Sequence, residues 1–259
     1  MQVSFVIPTR NQARFIGRCI DSCLEQEVGD AEVVVVDGAS TDDTLAVVCR
    51  YGERVRWSSQ PDSGQGQAVN RGVASARGEI VAWINSDDYY PGSDALPAVV
   101  AAFGEPEVDI VYGRGRMVGA GGRTLRTTRG RALRTCADLL LMPSGLLQPA
   151  VFFRRQAFLE VGGLREDLHY ALDYDLWLRM FPRARATRYL DRELACATYH
   201  AEAKSVAGLW QQVRELAALK RSHRREFQLS FAQEIQLRLG TASLYAYWAA
   251  VRAGLRRAT

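Results

Sequence analysis

Apolar and polar positions follow two alternating rhythms along the first 110 residues. Val3, Phe5, Val6 and Ile7 form a short apolar run that predicts a buried strand over 3–8, and Ile16, Cys19, Ile20, Cys23 and Leu24 then fall at helical spacing within 12–27. A second strand at 32–36 stops at Asp37-Gly38, where Ser40 or Thr41 caps a helix running to about residue 50. The same alternation predicts a strand at 54–58, a helix at 65–76 closed by Gly78, a strand at 80–84, a helix near 94–103 and a strand at 109–112. Strands and helices of this length in alternation predict an α/β domain: a mainly parallel sheet with helices on both faces.

The rhythm weakens beyond Tyr112. Glycines and arginines fill 113–135 with little periodicity, which predicts a hairpin or mobile loop. A strand at 150–153 follows, then helices at 155–161 and 173–181. From about 205 the pattern is helical to the end, interrupted near 222–226. The chain therefore divides into a domain over 1–204, with halves 1–112 and 113–204, and a helical extension over 205–259.

Composition narrows the class without naming a function. A chain of 259 residues with 47% hydrophobic content holds a core large enough to fold without disulfides, and collagen-like, disordered and disulfide-stapled classes are excluded. The net charge of +4 is uneven: residues 1–200 carry 23 basic and 25 acidic side chains, residues 201–259 carry 10 and 4. A basic tail suits an anionic membrane surface, or is a solvated helix face. Its aromatic stretch, Leu244 to Val251 before Arg252, Arg256 and Arg257, suits a membrane interface or packing on a second subunit, a homo-oligomer. Only Lys204 and Lys220 among the 33 basic residues are lysine, a compositional bias rather than a nucleic-acid signature, and no nucleic-acid partner is expected. The five cysteines are odd in number and lack metal-ligand spacing. With no leader-like N-terminus and no long apolar run, the expectation is a cytoplasmic protein, at most peripheral at the inner face of the plasma membrane.

Ligands of a parallel sheet bind beyond the carboxyl ends of its strands. Four such ends carry polar residues here: Pro8-Thr9-Arg10-Asn11, Asp37-Gly38-Ala39-Ser40, Asp62-Ser63-Gly64 and Asn85-Ser86-Asp87-Asp88. The adjacent carboxylates Asp87 and Asp88 repel each other unless a cation or hydrogen-bond donors answer them. A hard divalent ion that also holds substrate phosphates takes one or two protein carboxylates, which is the need of a nucleoside-diphosphate site.

These segments, in this order, resemble family 2 glycosyltransferases of the GT-A fold: Val3 to Asn11, Val33 to Asp42, Asp62 to Gly78 and Asn85 to Asp88. The resemblance implies an inverting enzyme that moves a sugar from a nucleotide-diphosphate sugar, most often a UDP-sugar, to a glycan or lipid-linked acceptor, as in polysaccharide or cell-envelope synthesis. It implies that Asp37 contacts the nucleoside, that Pro8 and Thr9 form the pocket floor with Asn11 beside them, and that Asp87 lies near the ribose and sugar. Asp88 would coordinate Mn²⁺ or Mg²⁺, which offsets charge on the leaving diphosphate. Asp62 and Arg71 either help hold the donor or serve as a cap and a surface charge.

A later block, Tyr170 to Arg179, resembles the family's Glu-Asp segment, with Leu172 in place of the usual Glu. Its Asp173 would be the general base that takes the acceptor's hydroxyl proton, held ionised at a helix N-terminus. Asp175 is the rival base, or an ion-pair partner of Arg179 one turn on. On the acceptor side the resemblance places Trp177 and also Gln148, whose amide would bond a sugar hydroxyl. Tyr199-His200 is similar to a late block near the diphosphate, where His200 would bond phosphate or ligate the metal. Other classes fit less well. A nucleotidyltransferase wants a glycine-rich loop after the first strand, and an NAD-dependent oxidoreductase wants GxGxxG there; neither follows Ile7. A binding module that kept the fold and lost the chemistry is the non-enzymatic alternative.

Overall fold

The computed structural model describes residues 2–128, 130–141, 146–200, 203, 208–227, 229, 233–235 and 237. One eight-stranded sheet organises them. Strands β1 (Val3–Thr9), β2 (Ala31–Asp37), β3 (Val55–Ser59) and β4 (Ile80–Trp83) are parallel in the order β3-β2-β1-β4. Register aligns Thr9 with Asp37 and Asp37 with Ser59, so their polar ends share one edge.

Side-chain alternation on β1 supplies both faces of the sheet. Val3, Phe5 and Ile7 pack beneath α1 (Ile16–Leu24), α2 (Thr44–Cys49) and α4 (Ala95–Ala102), through Ile16, Ile20, Val48 and Leu96. Val6 faces the opposite way, toward Val69 and Val73 of α3 (Gln65–Ser75). Gly72 permits that approach, since a Cβ there would lie 2.4 Å from the Val6 side chain. Burying the predicted 3.6-residue stripes on a two-residue strand period gives both cores at once.

The second half departs from the expected parallel pattern. Strand β5 (Val108–Gly119) runs far beyond residue 112, forms a hairpin with β6 (Thr124–Thr127), and pairs antiparallel with β7 (Val151–Arg154), which in turn pairs antiparallel with β4. The first part of the glycine- and arginine-rich stretch is thus the expected hairpin, with the turn at Gly122 (φ 82°). Strand β8 (Ala186–Tyr199), 14 residues long, pairs parallel with β5 and has no counterpart in the expected elements. Its first eight positions are partly or fully exposed, so neither alternation nor a continuous apolar run marks it.

Helices α5 (Ala137–Leu141), α6 (Arg155–Glu160) and α7 (Leu172–Met180) cover the α3 face, and α8 (Leu209–His223) packs there through Val213, Leu216 and Leu219. The expected interruption near 222–226 is the end of α8 and the turn after it. Among the described residues no helix is long and apolar enough to cross a membrane. The aromatic and basic segment 244–257 lies outside the described residues.

Candidate active site

The carboxyl edge of the parallel strands opens into a cleft of about 1020 Å³, walled on its far side by β5, β8 and the N-terminal end of α7. Pro8, Thr9, Asp62, Asp87, Asp88, Gln148 and Asp173 all line it. Residues up to 165 positions apart in sequence therefore meet around one space, as ligand groups must.

The donor-side loops are held by their own polar groups. Asp37 is fully buried below the cleft wall, not on it. One of its oxygens accepts from the Ser40 amide at 3.0 Å and the Ser59 hydroxyl at 2.6 Å, and the Ser40 hydroxyl bonds the other. Asn11, in the left-handed region at φ 54°, also stays out of the cleft: its Oδ1 accepts from the Thr41 amide at 2.8 Å, and its own amide donates to the Ser40 hydroxyl at 2.7 Å. Ala39 is left-handed as well, at φ 58°, a conformation that costs an L residue about 1–2 kcal/mol and that this network sustains. Gly38 leaves room for Asp62, whose carboxylate would sit 2.6 Å from a Cβ there. Arg71 turns away from the cleft to the Pro61 carbonyl at 3.2 Å, bracing the turn that carries Asp62.

The carboxylate pair is divided by its surroundings. Asp88 is 4% exposed and anchored to β8, with Oδ1 accepting from the Thr198 amide at 2.8 Å. Burial first, and then the neighbouring Asp87 charge, push its carboxyl well above the usual range, while the Thr198 amide opposes this. Asp87 reaches the other way: its Oδ2 lies 3.1 Å from His200 Nε2 at the end of β8, across 113 residues of sequence. The His200 ring rests on Phe15, with centroids 4.5 Å apart. The resemblance implies Asp88 as a metal ligand and His200 as a hydrogen-bond donor to phosphate or a second ligand; in the structure the carboxylate that meets His200 is that of Asp87. Arg18 ties this junction together, donating to the Asp87 carbonyl at 3.2 Å and the Thr198 hydroxyl at 2.9 Å.

Asp87 and His200 offer a hard oxygen and an imidazole nitrogen side by side, a mixed donor set that suits Mn²⁺ better than Mg²⁺, which prefers oxygen ligands alone. Among the described residues no three His, Cys, Asp or Glu side chains gather as a cage. An ion here would take few protein ligands and complete its shell from a diphosphate, the usual arrangement for such ions.

Across the cleft, Asp173 sits in the first turn of α7, with Oδ1 bonded by the Tyr174 amide at 2.8 Å. Its rival Asp175 is fully buried away from the cleft and holds Arg179 at 2.7 Å. Burial opposes its ionisation, yet the His223 imidazole 3.7 Å away and the Arg179 charge outweigh burial and hold the carboxyl below its usual range. Trp177 is also fully buried, between Phe153 and Phe181, so it belongs to the core and not to the acceptor side. One helical turn separates it from Asp173, and the cleft reaches only the helix end. Gln148 faces the cleft but is committed, donating to the Trp83 carbonyl at 2.7 Å and accepting from Asn85 at 3.1 Å.

Polar atoms at the cleft await a partner, and of their residues only Thr9 is among those the sequence singles out. The Thr9 hydroxyl, the Trp83 Nε1 and the Gln212 Oε1 are buried at the cleft with no hydrogen-bond partner among the described residues, as expected of atoms that a ligand satisfies. Gln212 comes from α8, in a segment whose only sequence signal is its helical period.

Fold and cleft together define a GT-A glycosyltransferase architecture. The chain belongs to glycosyl transferase family 2, whose sequence profile matches residues 4–163. It is 35% identical over 193 residues to a PGL/p-HBAD biosynthesis glycosyltransferase of Mycobacterium tuberculosis, covering 72% of this chain and 73% of the relative. Solved structures share the fold at lower identity. S. aureus TarS 1-349 in complex with UDP superposes with a TM-score of 0.66 at 23% identity, over 92% of this chain and 69% of that one; of a longer TarS chain, 42% is covered. The mannosyltransferase PcManGT from Pyrobaculum calidifontis, in complex with GDP-Man and Mn²⁺, gives 0.68 at 21%, over 99% and 78%.

Proposed function

We propose that the cleft binds a nucleotide-diphosphate sugar at the β1–β4 edge and transfers its sugar, with inversion, to a hydroxyl of a glycan or lipid-linked acceptor. The observation that carries this reading is that Asp87, joined to His200, and Asp173 line one cleft from the two halves of the chain. The bound ligands of TarS and PcManGT support a nucleotide-sugar donor, with a UDP-sugar as the first candidate. The mycobacterial relative is a PGL/p-HBAD biosynthesis glycosyltransferase, and the cell-envelope acceptor proposed for this chain rests on the family resemblance.

In this reading the Thr9 hydroxyl and the Trp83 Nε1 meet donor atoms, and the buried Asp37 network keeps the loop over them in shape. Asp87 and His200 would hold the Mn²⁺ or Mg²⁺, which supplies charge neutralisation for the departing diphosphate. Asp88 fixes the loop against β8. Asp173 takes the proton from the acceptor hydroxyl as the new glycosidic bond forms, its negative charge favoured by the helix N-terminus. The enzyme would work on the cytoplasmic side, with the basic tail touching an anionic membrane or a second copy of the chain.

Thermal shift with UDP, GDP, dTDP and CMP, each with and without Mn²⁺, tests the donor assignment. A ligand that binds only the folded state raises Tm, by about 2.7 kcal/mol of stabilisation at 100-fold excess over Kd. One diphosphate that stabilises the protein in a Mn²⁺-dependent way, with that dependence lost in Asp87→Ala, is the expected result. A panel without any shift would turn the reading toward a module that kept the fold and lost the chemistry.

A further inference from the structure

Helix α8 lies beyond the 4–163 stretch that the family profile matches, yet it reaches the cleft. Gln212 lines the cleft directly. Three residues later, Glu215 turns both carboxylate oxygens onto the segment leading into α7. One oxygen accepts from the Tyr170 amide at 2.8 Å and the Ala171 amide at 3.0 Å, and the other from the His169 amide at 3.2 Å. These amides belong to the two residues before α7 and to its N-cap residue, Ala171, whose N–H is the first of the donors that a helix start leaves without an intrahelical partner. Asp173 follows two residues after Ala171, while His169 and Tyr170 themselves face the cleft.

A charged acceptor shared among three consecutive amides fixes the segment's backbone more tightly than neutral bonds would. Nothing in the nearby sequence does the same: the N-cap residue of α7 is Ala171, which has no capping side chain. The start of α8 is fitted to this segment too, because a Cβ at Gly208 would lie 2.0 Å from the Tyr170 ring.

We infer that Glu215 is a positioning residue for the transfer step: by holding the amides of 169–171 it sets where Asp173 points, which makes α8 part of the catalytic apparatus. The base role of Asp173 rests on the proposed function; the carboxylate clamp itself does not.

The test uses the full chain and the variants Glu215→Gln, Glu215→Ala and Gly208→Ala. Hydrogen exchange at the 169–171 amides reads the clamp whether or not any sugar is transferred. It should rise about tenfold or more in both Glu215 variants, while β1 and β2 amides stay protected. Turnover is read as release of nucleoside diphosphate from the sugar nucleotide that the binding panel selects, with water as acceptor. In Glu215→Ala, kcat per folded molecule should fall about 10–100-fold with donor KM within about twofold, the pattern of a misplaced base. Glu215→Gln, which keeps an acceptor oxygen but no charge, should fall in between. Gly208→Ala, which displaces the Tyr170 ring without touching Glu215, should also lower kcat. Unchanged exchange at 169–171, or a Glu215→Ala enzyme that loses Tm but keeps kcat per folded molecule, overturns the inference. A wild-type protein that turns over no sugar nucleotide, with the exchange effect intact, overturns the functional reading and leaves the clamp standing.

Discussion

The two walls of the cleft are built on different length scales. On the donor wall, the bonds that shape the loops join neighbours in the α/β alternation: Asn11 to Ser40 and Thr41 across 29 and 30 residues, Gln12 to Thr44 across 32, Asp37 to Ser40 and Ser59 across 3 and 22. The acceptor wall and the junction with it depend on long connections: Asp88 to Thr198 across 110, Asp87 to His200 across 113, and Glu215 to the α7 entry across 44 to 46. Short-range construction gives a wall that forms with its own sheet. Long-range construction makes the reacting geometry conditional on β8 and α8 being docked.

The strongest way to break this contrast is at the acceptor wall itself. Asp173→Asn keeps the shape of the side chain and removes its basicity. Loss of a general base lowers kcat by about 10²–10⁴-fold, while the Mn²⁺-dependent shift with nucleoside diphosphate stays as in wild type. Near-normal sugar transfer by this variant would mean that the base lies elsewhere and that the two walls do not divide the labour of binding and chemistry.

Next in size is a change that unties α7 and α8 without entering the cleft. Asp175 is buried against Arg179 at 2.7 Å and His223 at 3.7 Å. Asp175→Asn leaves the partly buried Arg179 guanidinium without its carboxylate, and removing one partner of a fully buried pair costs about 3–5 kcal/mol, which sets the upper bound here. Chemical denaturation should show that loss, and any nucleotide shift should persist in the folded fraction. A loss under about 1 kcal/mol would show that the acceptor wall does not depend on this junction.

The same difference in range decides how much could be read in advance. Strands β1 to β4 and helices α1 to α4 fall where the apolar rhythm puts them, because each is a local pattern folding onto its neighbour. Asp87-Asp88 stands out because two adjacent carboxylates after a buried strand demand an explanation wherever they lie. The sequence could not show which of the two meets His200, since β8 decides that from 110 residues away. Nor could β8 itself be seen: among the described residues its partners are β5 and a single bridge to Tyr89, and its first half stays in partial contact with solvent, so its pattern is neither a buried run nor an alternation. Trp177 was misplaced for a related reason. Helical spacing sets it on the face of Asp173, but only the packing of α7 end-on to the cleft sends one to the ligand and the other to the core. Glu215 and Gln212 carry no motif, and a glutamate on an amphipathic helix ordinarily reads as surface charge.

The smallest expected effect separates an ionic α7–α8 junction from simple packing. The nearby Asp175 carboxylate, helped by Glu226, raises the His223 pKa above its usual value against the cost of burial. A group whose folded pKa is raised contributes stability that is complete below its unfolded pKa, about 6.5, and is lost as pH rises through the folded value. Asp175 itself is held low and stays ionised throughout that range. Lys220, pushed down to about 8 by burial on the same helix, also titrates on the alkaline side, but it is common to wild type and variant and cancels in their difference. Subtracting the Tm of His223→Gln from that of wild type should therefore give a value that is largest near pH 6 and shrinks toward alkaline pH. The effect is modest because Glu226 is largely solvated and its share of the attraction is screened. A difference independent of pH would mean that α8 is held at this point by shape alone, leaving the Glu215 clamp as the charged link between the helix and the acceptor wall.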